Sequence, residues 1–326
     1  MRDLSPQRIK RFIQPFVVRP GSKVRLPGDF DPESTGGYSR DDAGGAQQLL
    51  QQGIALLADF QARLAAQATD GVLVILQAMD AAGKDGTIRH VMSGVNPQGV
   101  AVHGFKVPSA EELAHDYLWR YAAAVPARGQ IAIFNRSYYE EVLVVRVHPE
   151  LLANQRLPGR RAAEDGQNQL AVWDRRFREI NNFERYLSDN GVHVLKLFLN
   201  LSKGAQRKRF LSRIEEPEKN WKFTGADVRE RGYWDAYQSA FSHVLSHTST
   251  KWAPWYVIPA DSKWFTRIAA AGVIANALLD IDPRYPTVEQ EAHASLKAAR
   301  HQLEAEDSTG KRSSKTAARK AHVRGS

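Results

Sequence analysis

Eleven residues of this 326-residue chain, QAMDAAGKDGT at 77–87, read as an anion-binding loop. They follow an apolar run, VLVIL at 72–76, and precede a helical pattern that starts at Ile88. Strand, glycine-bearing loop and helix is the context a phosphate loop needs. Successive backbone N–H groups and a helix N-terminus make a site for anions. Lys84 adds a point charge, and Gly83 lets the backbone approach closely. The usual pattern is G-x-x-x-x-G-K-[ST], but Ala78 stands at the first glycine and Asp85 at the hydroxyl. Thr87 comes two residues too late to replace that hydroxyl. Asp80 is the natural substitute, a hard oxygen ligand for Mg²⁺ beside bound phosphates. The loop residues expected to touch phosphate or nucleotide are Ala81, Ala82, Gly83, Lys84, Asp85, Gly86 and Thr87. The competing reading, a chance turn with a surface lysine, fits poorly behind a buried strand.

A second apolar run, 131–134, ends in Asn135-Arg136-Ser137-Tyr138-Tyr139-Glu140. Ligands of open α/β sheets bind beyond the carboxyl ends of strands. Asn135 falls where P-loop enzymes usually place a metal-binding Asp, and its neutral amide would hold Mg²⁺ more weakly, directly or through water. Arg136 suits the charge on a transferring phosphoryl group. Glu140, one turn on, can face the same cleft. The alternative is a capped helix start with an exposed arginine. Further on, Lys203, Arg207, Lys208, Arg209 and Arg213 crowd one helical segment. Such a segment reads as a mobile lid over phosphates, or as a solvated basic face. Trp221 and Phe223 beside lysines suit base stacking or packing. Asp261 and Lys263 follow the last strand-like run. The ten histidines show no metal-binding spacing.

These residues need elements to hold them. Strand-like runs at 72–76, 100–102, 131–134, 192–201 and 255–258 alternate with helical patterns at about 109–123, 137–147, 168–189, 203–214, 227–248 and 262–280. That alternation predicts an α/β fold with a mostly parallel sheet and helices on both faces. A helix is expected at 46–66, and an extended arm over 1–45. The domain that carries the phosphate loop spans 46–285 with its lid near 203–225. A polar helix over 286–307 and a disordered basic tail over 308–326 complete the chain. The net charge is +9, of which the tail carries +6, so the body holds only +3. A polyanion partner therefore needs local evidence. Hydrophobic residues at 43% and charged residues at 25% exclude wholesale disorder. The absence of cysteine excludes disulfides, thiolate metal sites and a cysteine nucleophile. No leader is visible, and the apolar run 268–279 is too short to span a bilayer. The expectation is a cytoplasmic protein with no membrane partner and no specific nucleic acid.

Together, several stretches resemble the polyphosphate kinase 2 family: 77–91, 94–120, 133–148, 221–237 and 253–267, in the family's order. The resemblance covers roughly residues 10–285. It implies a P-loop kinase-like three-layer sandwich with a helical lid. It implies Mg²⁺-dependent transfer, with Mn²⁺ able to substitute, between inorganic polyphosphate and ADP or AMP, giving ATP. The family's Walker A pair falls on Asp80 and Lys84, and its Asp-Arg-Ser motif reads Asn135-Arg136-Ser137 here. The N-R-S-x-Y-E form looks like the class III subgroup, which resembles enzymes that phosphorylate both AMP and ADP, with Glu140 marking the difference from the ADP-preferring subgroup. The basic residues of 203–213 correspond to the lid that tracks polyphosphate. Dimers or tetramers are implied. Two other readings stand beside it: an ATP-dependent nucleotide kinase of the thymidylate kinase type, and a binding protein that works through its basic tail. Ala78 and Asp85 depart from the ordinary ATP loop.

Overall fold

The computed structural model describes residues 5–39, 43–155, 157, 166–287 and 292–305. Residues 1–284 form one unit and 285–326 a second. In the first, β1 (Gly71–Ala78), β2 (Val100–Gly104), β3 (Ile131–Asn135), β4 (Val192–Asn200) and β5 (Trp255–Pro259) form one sheet. Every neighbouring pair is parallel, in the order β2-β3-β1-β4-β5. The continuous apolar run of β1 is explained by this order: it is the central strand, and residues 72–76 are each at most 2% exposed. Burying each such side chain is worth about 1.5–3 kcal/mol.

The helices are α1 (Pro6–Ile13), α2 (Ala43–Gln67), α3 (Lys84–Val91), α4 (Ala110–Ala114), α5 (Trp119–Ala122), α6 (Val144–Val147), α7 (Gly166–Asp189), α8 (Lys203–Glu215), α9 (Gly225–Gly232), α10 (Trp234–Thr248) and α11 (Lys263–Ile281). Alternate residues of the strands feed two cores. Val72, Val74, Ile133 and Leu197 pack with residues of α2 and α11, while Leu73, Ile75, Phe134 and Phe198 pack with residues of α7 and α10. The result is a three-layer α/β sandwich. Helix α11 matches the pattern expected at 262–280, and its 19 residues, unlike the apolar run 268–279 alone, are long and apolar enough to cross a membrane by length and composition. Here Ala269, Ala270, Val273, Ile274 and Leu278 are buried in the second of these cores.

Three expected helices are interrupted, the one at 227–248 breaking at Tyr233 into α9 and α10. The one at 109–123 breaks into α4 and α5, where Asp116 accepts from Leu118 N at 2.9 Å and forms a turn. The one at 137–147 opens as a 3₁₀ turn, Tyr138–Val142, before α6. The segment expected as an extended arm starts instead as α1, whose Ile9 and Ile13 are buried. Beyond it, Val17 pairs antiparallel with Tyr256 at the edge of the sheet. Val24 N and Leu26 N then bond Ser246 and Ser242 of α10 at 2.9 and 3.0 Å. In the second unit, residues 292–305 are helical. The tail 308–326 lies outside the described residues.

Candidate active site

Sheet order brings the chemistry together. β1 lies between β3 and β4; the connection from β1 runs to β2 on one side and that from β3 to β4 on the other, so the switch in strand order lies at the carboxyl end of β1. The phosphate loop emerges there. Gly83 caps α3 at φ +101°, a conformation that glycine alone adopts without penalty. Ala81 is also left-handed, at φ +63°, which costs about 1–2 kcal/mol for a residue with a Cβ. Lys84 is half-buried, and its Nζ donates to Ala78 O at 3.1 Å. Burial lowers the Lys84 pKa and the nearby Arg136 acts in the same direction, while Asp80, Glu140 and Asp85 oppose them.

The register β1–β3 sets Leu76 opposite Asn135 and so places Asn135 and Arg136 beside the loop. Asn135 Nδ2 donates to Asp85 Oδ1 at 2.8 Å. Arg136 is left-handed at φ +66°. Its two terminal nitrogens bridge two acids: Nη2 to Asp80 Oδ1 at 3.1 Å, and Nη1 to Glu140 Oε2 at 3.2 Å. Glu140 first, and then Asp80, hold the guanidinium pKa above its ordinary value against the opposing effect of burial. Half-exposed pairs of this kind add at most about 1 kcal/mol of stability. Their importance is positional, because they gather one cation and two carboxylates at the mouth of the loop.

Asp80, Ala81, Ala82, Gly83, Lys84, Asp85 and Gly86 line a cleft of about 630 Å³ with Asn135, Arg136 and Arg213. Thr87 lies outside that lining, and its side chain is 5% exposed. Glu140 faces a smaller adjoining cavity with Asp80, Arg136, Glu230, Arg231 and Tyr237. Of the five basic residues expected in the lid, Arg213 alone lines the cleft. Lys203, Arg207 and Lys208 are exposed on α8, with Lys203 Nζ 6.0 Å from the ring centre of Trp234. Arg209 points elsewhere, donating to the carbonyls of Ala81 and Ala82. Lys106 and Asp227 also line the cleft, and sequence reasoning missed both. Lys106 lies two residues beyond β2, at the carboxyl edge of the sheet, a place that could have flagged it. Asp227 and Arg231 stand four apart on α9, inside one of the stretches that carries the family resemblance.

Behind the site lies a buried polar network. Lys196 Nζ donates to Glu184 Oε2 at 2.6 Å and to Tyr139 OH at 3.0 Å. Glu184 Oε1 accepts from Tyr138 OH and Tyr139 OH at 2.9 and 2.8 Å. Burial raises the Glu184 pKa and lowers that of Lys196, each opposed by its partner. This network anchors the 3₁₀ turn that carries Glu140. A separate cavity of about 350 Å³ is lined by Tyr117, Arg120, Glu141 and Arg176. There Arg176 donates to Glu141 O at 2.8 Å and to its carboxylate at 3.2 Å, so its charged pair is satisfied internally.

Comparison with known proteins identifies the family. Residues 39–286 match the sequence profile of Polyphosphate kinase 2 (PPK2). A protein of Rhodopseudomonas palustris named ADP-polyphosphate phosphotransferase is 47% identical, covering 88% of this chain and 97% of its own. One of Meiothermus ruber named AMP/ADP-polyphosphate phosphotransferase is 43% identical, covering 84% and 96%. The crystal structure of Polyphosphate Kinase 2 from Arthrobacter aurescens TC1 superposes with a TM-score of 0.76 at 38% identity, covering 90% of this chain and 97% of that one. The chain that carries this phosphate loop and parallel sheet thus belongs to the polyphosphate kinase 2 family.

Proposed function

We propose that this chain transfers the terminal phosphoryl group of inorganic polyphosphate to ADP, and also to AMP, in a reversible in-line reaction. The observation that carries this reading is Arg136, which bridges Asp80 and Glu140 at the mouth of a phosphate loop that holds Lys84. A terminal phosphate oxygen of the acceptor forms the new P–O bond. The bond to the bridging oxygen of the chain breaks, and the shortened polyphosphate leaves as an anion. Such a transfer needs positioning and charge stabilisation more than covalent help. Lys84 and the amides opening α3 bind phosphate, and Arg136 spreads over the equatorial oxygens of the transferring group. Arg213 and the exposed Lys203, Arg207 and Lys208 draw the polyanion by charge.

Mg²⁺ fits the donor set. Asp80 and Asp85 offer two carboxylates in one cleft, Asn135 adds an amide oxygen, and Mg²⁺ typically takes one or two carboxylates with phosphates and water. When bound, the ion neutralises charge on the phosphates. Mn²⁺, equally suited to oxygen ligands, is expected to substitute. Glu140, which holds Arg136 Nη1 at 3.2 Å, is the residue that the family resemblance ties to the broader acceptor range. The reading also takes the enzyme as a cytoplasmic homo-oligomer, a dimer or tetramer, in keeping with the family resemblance.

The test is direct. Purified protein is mixed with Mg²⁺, long-chain polyphosphate and either AMP or ADP, and nucleotides are followed by chromatography. ATP formed from both acceptors, lost in Lys84→Ala and on chelation of the metal, is the expected result. ATP from ADP alone removes the class III assignment. Turnover with ATP but never with polyphosphate as donor refutes the donor assignment.

A further inference from the structure

Three consecutive carbonyls of the phosphate loop are held by one face of α8. Gln206 Nε2 donates to Asp80 O at 3.0 Å. Arg209 Nη1 donates to Ala81 O and Ala82 O, each at 2.8 Å. The other terminal nitrogen of Arg209 donates to Ala260 O and Asp261 O, at 2.5 and 3.1 Å. One guanidinium thus ties the phosphate loop to the loop after β5. Gln206 is itself buried, and its Oε1 accepts from Arg231 Nη1 at 2.8 Å. The start of α8 is fixed as well: Asp261 accepts from Ser202 N at 2.8 Å and from Ser202 Oγ at 2.6 Å.

The physical consequence concerns the direction of dipoles. A carbonyl aimed at a polyphosphate repels it, whereas an amide attracts it. A cation bound to the carbonyls of residues 81 and 82 holds their negative ends on the side of α8. The amides that open α3 are then left for the substrate. The left-handed Ala81 is unfavourable by itself and persists only where the surroundings determine it. Two hydrogen bonds from a charged donor at residues 81 and 82 supply such a constraint.

We infer that Gln206 and Arg209 are positioning residues of the phosphotransfer reaction. They set the phosphate loop from outside the cleft, and the first two turns of α8 are a fixed wall rather than part of a moving lid. Any moving lid then begins beyond Arg209. The inference rests on the phosphotransferase reading above. It reverses the expectation that Arg209 contacts polyphosphate.

Kinetics of Arg209→Gln and Arg209→Lys, read with circular dichroism as a check of folding, test it. Positioning predicts that kcat falls by about 10²-fold in both variants, because a misplaced loop costs about that much. Lysine fails to rescue, since an ammonium cannot span four carbonyls in a planar fork. The dependence of log(kcat/KM) for polyphosphate on log[salt] keeps its slope, because no substrate contact is lost. A shallower slope, by nearly one unit as expected for one lost phosphate contact, with rescue by lysine, overturns the inference. So does a wild-type kcat in Arg209→Gln. Should the Arg209 variants fail to fold, Gln206→Met gives the same reading, with kcat lower by about tenfold and the slope unchanged; a wild-type kcat there overturns it too. Wild-type protein that transfers nothing from polyphosphate refutes the donor assignment alone, and the variants are then read with the donor that works.

Discussion

At the scale of residues, two departures from the common phosphate loop answer one another. Asp85 replaces a hydroxyl and Asn135 replaces an acid, and the two are hydrogen bonded at 2.8 Å. An aspartate at both positions would set two carboxylates against each other at that distance. Asn135→Asp is therefore expected to lower kcat/KM at least tenfold at saturating Mg²⁺, and to lower the Mg²⁺ concentration needed for half-maximal activity, because a carboxylate holds the ion more tightly than an amide. The exchange Asn135→Asp with Asp85→Asn restores an amide–carboxylate pair and should recover most of the loss. A double-mutant cycle in kcat/KM checks this, and simple additivity of the two losses would show that the pair is not coupled. Arg136 makes a different demand, because its fork reaches two acids at once. Arg136→Lys keeps the charge and loses the fork, so kcat should fall by about 10²–10³-fold with a smaller change in KM, measured by initial rates over both substrates.

At the scale of elements, the 3₁₀ turn after β3 depends on a charge pair it does not itself contain. Tyr138 and Tyr139 reach Glu184 on α7, which meets Lys196 on β4. Both charged side chains are fully buried. Such a pair adds little over an apolar substitute, but breaking it strands a charge. Lys196→Met should cost about 3–5 kcal/mol, read from the urea midpoint. Adding Glu184→Gln removes the stranded charge and keeps an acceptor for the tyrosines. The double variant should therefore be more stable than the single one. If it is less stable, the pair has no coupling of the kind described.

At the scale of the whole molecule, the family match ends at residue 286 and the first structural unit at residue 284. The residues proposed above as catalytic all fall inside both. A chain ending at Pro286 should therefore keep its kcat with polyphosphate and ADP. It also sheds the six positive charges of 308–326. The salt dependence of kcat/KM should stay the same, because the phosphate-binding cations sit around the cleft. A loss of turnover on truncation would return weight to a protein that works through its tail.

What the sequence alone determined was local. Four of the five strands were legible because their apolar runs bury on both faces of a parallel sheet, whereas the edge strand β2, with no buried residue, showed only as a short apolar run. The phosphate loop was legible because glycine and lysine sit within eleven residues that directly follow a strand. Asn135 and Arg136 were legible because they end a strand. The structure decided what those residues do to one another. Arg209 looked like one more lid cation, since a basic helix reads the same whether it faces solvent, substrate or carbonyls. Docking α8 against residues 81, 82, 260 and 261 spent its donors, across separations of 128 and 51 positions for Ala81 and Ala260. The bond of Asn135 to Asp85, the bridge of Arg136 and the burial of Lys196 arise likewise from strand order and register. Hydrogen-bond partners are set by proximity in space, and proximity across a sheet is a property of the packed fold.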